Sequence, residues 1–173
     1  MKNFIYLFIA ITVIFSSCTK EGCIDVVAAN YDATADNDDG SCVYGFAGGE
    51  WITQSILVSG SITASMMGIT ILDSTINYTE TNPDSLDPYK LVMNDNGTYM
   101  EYDNSNTVVE GGTWSATSDL LTVNTPDTTL VLSIISLDKN SASFAANFVE
   151  SSNENGVTID FDITQTINSD RTW

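Results

Sequence analysis

Near its C-terminal end the chain alternates between apolar and polar residues. Val157, Ile159, Phe161 and Ile163 fall at one parity, and Thr158, Asp160, Asp162 and Thr164 at the other. A period of two marks a strand with one buried and one wet face. Phe144, Ala146 and Phe148 oppose Ala145, Asn147 and Val149 in the same way. Upstream, the pattern predicts strands at 50–58, 69–79, 89–93, 98–103, 108–116, 120–124 and 128–137, and then at 143–150 and 157–166. Residues 59–73 form a weaker stretch containing Gly and Met, and 82–88 holds two prolines and reads as a loop. Asn94-Asp95-Asn96-Gly97 predicts a hairpin turn, because Asn-Gly accepts positive φ. No stretch makes a convincing helix. About eight strands joined by short turns predict an all-β, antiparallel barrel or sandwich. One apolar and one wet face per strand favour the up-and-down barrel.

The N-terminus follows another pattern. Lys2 precedes a run from Phe4 to Phe15 that is apolar except for Thr12, then Ser16, Ser17 and Cys18. A membrane span needs about 20 apolar residues, so this run is too short. A charged start, a short apolar middle and a small-residue exit describe a cleaved signal peptide. Phe15-Ser16-Ser17-Cys18 resembles the lipobox of bacterial lipoproteins, with Phe15 where that family usually has Leu. The resemblance implies cleavage after residue 17 and acylation of Cys18. Two or more acyl chains anchor a protein stably in a bilayer. Thr19 stands where an Asp commonly retains lipoproteins at the inner membrane, so an outer-membrane location is expected, on its periplasmic or cell-surface face.

Charge narrows the partners. The chain carries 5 basic and 23 acidic residues. Without residues 1–17 it keeps 4 basic and 23 acidic, a net −19. Such a surface repels phosphate backbones, so nucleic acid is excluded as a partner. Histidine is absent, which removes Ser-His-Asp and Cys-His nucleophiles and His-bearing zinc sites. Catalysis would have to rest on carboxylates such as Glu101, Glu110, Glu150, Asp160 and Asp162. A glycosidase needs two of them facing across a cleft. No such pairing is legible, and the chain reads as non-enzymatic.

With Cys18 lipidated, Cys23 and Cys42 remain as a pair in an oxidising compartment, where a disulfide is expected. Asp25, Asn30, Asp32, Asp36, Asp38 and Asp39 cluster between them. Hard oxygen ligands beside a bend at Gly40 suit Ca²⁺. An EF-hand does not fit: aligning its glycine on Gly40 puts Ala35 at the first ligand position and Phe46 at the closing glutamate. Gly22-Cys23-Ile24-Asp25, Ala29-Asn30-Tyr31-Asp32 and Asp38-Asp39-Gly40-Ser41-Cys42 resemble a short module of exported bacterial proteins, related in style to calcium-binding thrombospondin type 3 repeats. Val26 replaces that module's usual Pro, and Ala29 stands where it often has a further Cys. The resemblance implies a Ca²⁺-loaded stalk, and the plain alternative is an acidic spacer. Three segments are expected: 1–17 signal peptide, 18–45 stalk module and 46–173 barrel.

Gly49-Glu50-Trp51 opens the first strand, and Gly111-Gly112-Thr113-Trp114 recurs after the Asn-Gly turn, followed by Leu120-Leu121-Thr122-Val123 and three long strands. This order resembles lipocalin-like domains of bacterial lipoproteins. In lipocalins the first-strand Trp plugs one end of the barrel under an Arg from the far end of the chain. Trp51 takes the first role. Arg171, the only Arg, is the residue available for the second, although its place at the terminus argues against it. The resemblance implies a small apolar ligand, with Trp51, Met66, Met67, Phe144, Phe148 and Phe161 as pocket candidates and Ser65-Met66-Met67-Gly68 as a mobile lip. The alternative is a filled barrel acting as an envelope scaffold or adhesin toward another envelope protein or a glycan. Tyr78, Tyr89, Tyr99 and Tyr102 would then form its contact face. A monomer is expected in either case.

Overall fold

The computed structural model describes residues 19–173; the expected signal peptide and the expected lipidation site Cys18 lie outside the described residues. The chain divides into two compact units at Tyr44/Gly45.

The first unit has almost no regular structure. Short turns are held by the Cys23–Cys42 disulfide, with Cα atoms 4.8 Å apart. Among the described residues a single bridge joins Glu21 to Asn37. Cys23 is fully buried, so the sulfur pair supplies most of what such a small segment has for a core.

The second unit is all-β. Among the described residues its strands are β1 (Glu50–Met66), β2 (Ile69–Glu80), β3 (Lys90–Met93), β4 (Thr98–Tyr102), β5 (Val108–Ala116), β6 (Leu120–Asn124), β7 (Thr129–Leu137), β8 (Ser141–Glu154) and β9 (Val157–Thr172). The sheet runs β2-β1-β3-β4-β5-β6-β7-β8-β9, and β9 returns to pair with β1. β1 and β3 to β9 therefore close an eight-stranded antiparallel barrel, with β2 as an extra strand. The expected architecture is the one observed.

Three strands run longer than the local pattern predicts. β1 continues to Met66, because Ile62, Ala64 and Met66 keep the parity of Val58 while Ser61, Thr63 and Ser65 take the other. β8 begins at Ser141 and reaches Glu154, and β9 reaches Thr172. β8 leaves β7 after Ala145, and β1 leaves β3 after Ile52. Beyond those points the two hairpins form a four-stranded sheet, β2-β1-β9-β8. Ile62, Ala64, Ile159 and Phe161 share one face by register; Thr63, Asp73, Asp160 and Asp162 share the other.

Where β1 leaves β3, the segment 81–89 spans the gap and buries Leu86 in the core. The core itself is built on Phe46, Trp51, Tyr99, Leu121, Leu132 and Phe144. Gly112 makes room for it. A Cβ there would meet Asn124 O at 2.1 Å and Tyr99 Cε1 at 2.9 Å. A strand carbonyl cannot move aside without breaking the ladder. Gly112→Ala is expected to cost about 1–3 kcal/mol as overpacking, read as a lower thermal midpoint by circular dichroism.

Candidate functional site

The barrel is plugged around Trp51 and also holds a small interior cavity. At the plugged end Trp51 is buried, and its Nε1–H donates to Phe46 O at 2.7 Å. Arg171 lies over the Trp51 ring at 3.9 Å and over the Trp173 ring at 4.6 Å. Its Nη2 donates to Gly45 O. Burial pushes the guanidinium down to about 10, still charged at neutral pH. The terminal position of Arg171 does not prevent the stacking, because β9 pairs with β1 over its whole length and brings residue 171 opposite Trp51. Gly49 permits the close approach: its φ is +69°, and a Cβ there would meet Thr172 O at 2.5 Å.

The interior holds a cavity of about 100 Å³. Its walls are apolar: Leu91 and Met93 from β3, Leu121 and Val123 from β6, Leu130 and Leu132 from β7, with Phe144 and Ile167 from β8 and β9. Strand alternation puts these residues inside. The same alternation brings Tyr99 and Glu101 of β4 inward, with Glu110 of β5 directly opposite Glu101. Pro88 reaches the cavity from the spanning segment. Beside it opens a more polar cleft of about 330 Å³, lined by Ile56, Val58, Tyr78, Glu80, Ser85, Asp87 and Gln165. No Lys or Arg among the described residues lines either space.

The polar groups at this end are poorly compensated. Tyr99 is buried, and its hydroxyl has no hydrogen-bond partner among the described residues. Burial, then the charges of Glu110 and Glu101, push its phenol upward. Glu101 is pushed up to about 7, first by burial, then by a hydrogen bond that its protonated form gives Asp87, then by the charges of Asp87 and Glu110. Raising a carboxyl above its ordinary 4.5 means that the folded protein holds a proton which the unfolded chain has released. This stabilisation is complete below the unfolded value and is lost as pH rises toward about 7. Glu101→Gln is therefore expected to melt higher than the wild type at pH 8 and close to it at pH 4. The gap is about 1–2 kcal/mol after discounting for solvent around a partly exposed group. Paired thermal melts across pH check it.

Of the six apolar pocket candidates, the cavity uses Phe144. Trp51 belongs to the plugged end. Met66, Met67, Phe148 and Phe161 lie on the projecting hairpins, with Met67 almost fully exposed at the β1–β2 tip. Tyr99 departs from the tyrosine surface face proposed from sequence: it is interior, whereas Tyr78 is exposed. Asp160 and Asp162 share the wet face of β9 and bond Ser151 Oγ and Asn147 Nδ2 at 2.5 and 3.1 Å. The signal for Glu101 and Glu110 was present. Each shares parity with interior residues, Glu101 with Tyr99 and Glu110 with Gly112 and Trp114.

In the first unit each acidic candidate has a local task. Asp25 accepts from the Val27 N–H at 3.2 Å and the Tyr44 hydroxyl at 2.9 Å. Asn30 spans Ser41 O and the Val43 N–H, both at 2.7 Å. Asp32 is held well below the usual carboxylate range by the Lys20 ammonium at 2.5 Å and by Thr34. Asp36 faces the Lys20 N–H at 3.4 Å, Asp38 caps Gly40 at 3.0 Å and Asp39 caps Ser41 at 2.9 Å. Among the described residues no three such side chains converge on one point that could hold a metal.

No family model, curated protein or solved structure matches this chain.

Proposed function

We propose that this chain is an exported lipoprotein, anchored in the outer membrane through acylated Cys18, whose barrel binds a small apolar ligand and catalyses nothing. The observation that carries the binding part is the cavity inside the barrel, walled by Leu121, Leu132 and Phe144. Ligand sites are concave, mostly apolar and furnished with a few polar groups. The anchor rests on the lipobox-like residues 15–18 and the short apolar run before them. The disulfide-closed segment then acts as an acidic spacer between anchor and barrel. Its Ca²⁺ question passes to a titration of the metal alone, followed through Tyr31 and Tyr44 fluorescence.

One observation favours a second reading, a scaffold or adhesin with a nearly filled barrel. The cavity of about 100 Å³ is small beside the ~300–1,000 Å³ of drug-sized sites. Native mass spectrometry of the mature protein from its own membrane separates the two. A co-purifying small molecule establishes the carrier, and a bare barrel favours the scaffold. The mass of the N-terminal peptide, compared with a Cys18→Ala variant, tests the anchor.

A further inference from the structure

We propose that the barrel selects an organic monocation, a short apolar body whose ammonium sits between Glu101 and Glu110 beside the Tyr99 hydroxyl. This rests on the reading of the barrel as a binding site and specifies its ligand class.

Three observations point the same way. Glu101 and Glu110 are register partners on adjacent strands, both lining the cavity. Directly opposed residues have Cβ atoms about 4.5–5.5 Å apart, and like charges there are destabilising. Asp87 adds a third carboxyl at the same end through its bond with Glu101. The compensating charge is missing: the cavity and the adjoining cleft have no Lys or Arg among their described lining residues. Lys90 is on the opposite face of β3 from Leu91 and is engaged by Glu50 at 3.1 Å and Asn106 at 2.5 Å.

The third observation concerns the ligand directly. Tyr99 is 2% exposed, lines the cavity, and leaves its hydroxyl without a partner among the described residues. A buried orphan hydroxyl costs stability. An ammonium head brings a positive charge and three hydrogen-bond donors, enough for the two carboxylates and the phenol oxygen. A carboxylate ligand would add a further like charge. An alcohol would satisfy Tyr99 and leave the glutamates uncompensated. The apolar walls accept the body, and the volume limits it to a group of roughly benzene size or less.

The titratable groups facing Glu101 are Glu110 from β5, Tyr99 from its own strand and Asp87 from the spanning segment. β3, β6 and β7 bring only apolar residues to this cavity. A cation therefore binds the ionised form of Glu101, and its affinity rises with pH as that proton leaves.

The test is an NMR titration of the mature protein with n-butylammonium, n-butanol and butyrate. An alkylamine titrates near the lysine value of about 10.4 and keeps its charge throughout the range used. Butylammonium is expected to bind about tenfold tighter than butanol at neutral pH, as expected for electrostatic selection, with butyrate silent. Its affinity is expected to rise several-fold between about pH 5 and pH 8, while that of butanol stays flat. The Glu101→Gln/Glu110→Gln variant is expected to keep butanol and lose the preference for the amine. If that variant fails to fold, the wild-type pH profile and Glu110→Gln alone decide. Equal or tighter binding of butanol overturns the head-group selection and leaves the barrel reading standing. No response of the Leu121 and Phe144 signals to any probe overturns both.

Discussion

Replacing Trp51 with Ala is expected to lower the barrel's stability by about 3–5 kcal/mol, the usual cost of removing a buried aromatic. In a domain of this size that is a fall of about 10–20 °C in midpoint. Three contacts are lost together. The ring is 2% exposed and tilts against Phe46 with centroids 5.8 Å apart. Its indole N–H gives up Phe46 O. Arg171 loses the aromatic face beneath its guanidinium, and its Nε has no hydrogen-bond partner among the described residues to offset the loss. A charge left beside a void is costly. Thermal melts followed by near-ultraviolet circular dichroism give the answer. A loss below about 1 kcal/mol would mean that Phe46, Trp114 and Arg171 collapse into the space. Trp51→Phe is expected to recover part of the loss, since it keeps an aromatic face but not the N–H.

Removing the disulfide with Cys23→Ser/Cys42→Ser is expected to unfold the first unit while leaving the barrel's melt unchanged. The crosslink closes a separation of 19 residues, worth about 3 kcal/mol by loop entropy. That exceeds anything else available locally. The unit's one ion pair among the described residues, Lys20–Asp32, is exposed and open to salt screening. Limited proteolysis reads the outcome: rapid cleavage between residues 24 and 41 in the variant and protection in the wild type, over a barrel resistant in both. A barrel midpoint that fell in step with the variant would mean that the two units fold as one.

The strands were legible because their faces differ so sharply. In β9 the alternation of Val157, Ile159, Phe161 and Ile163 with Thr158, Asp160 and Asp162 leaves one register in which the apolar set shares a single face. The ends of strands were less legible. β1 passes through Gly60, a residue that weakens a strand when read alone, and it continues because β9 pairs with it on one side and β2 on the other. The site was legible only in part. Phe144 could be placed from its alternation, but Met66 and Met67 looked like a lip because they are adaptable and sit beside Gly68. They lie instead at the tip of a projecting hairpin, since β1 and β2 run on past the barrel wall. Tyr99 looked like one of several surface tyrosines. Its burial depends on Gly112 directly opposite it, on a different strand.

What the sequence alone determined here is local and periodic: the all-β class, the near-eight-strand count, the Asn-Gly turn, the acidic segment and the cysteine pair within it. Each depends on residues close together in the chain, or on a parity that repeats whatever the partner strand is. The tertiary structure decided what depends on neighbours far apart in sequence. Closure of β9 onto β1 carries Arg171 over Trp51, 120 positions away. The register of β4 on β5 sets Glu101 against Glu110, and the spanning segment brings Asp87 to the same end. A carboxylate at an interior parity reads in sequence as an imperfection of the pattern. Only the closed barrel, which partly buries it and places a second carboxylate opposite, raises its pKa.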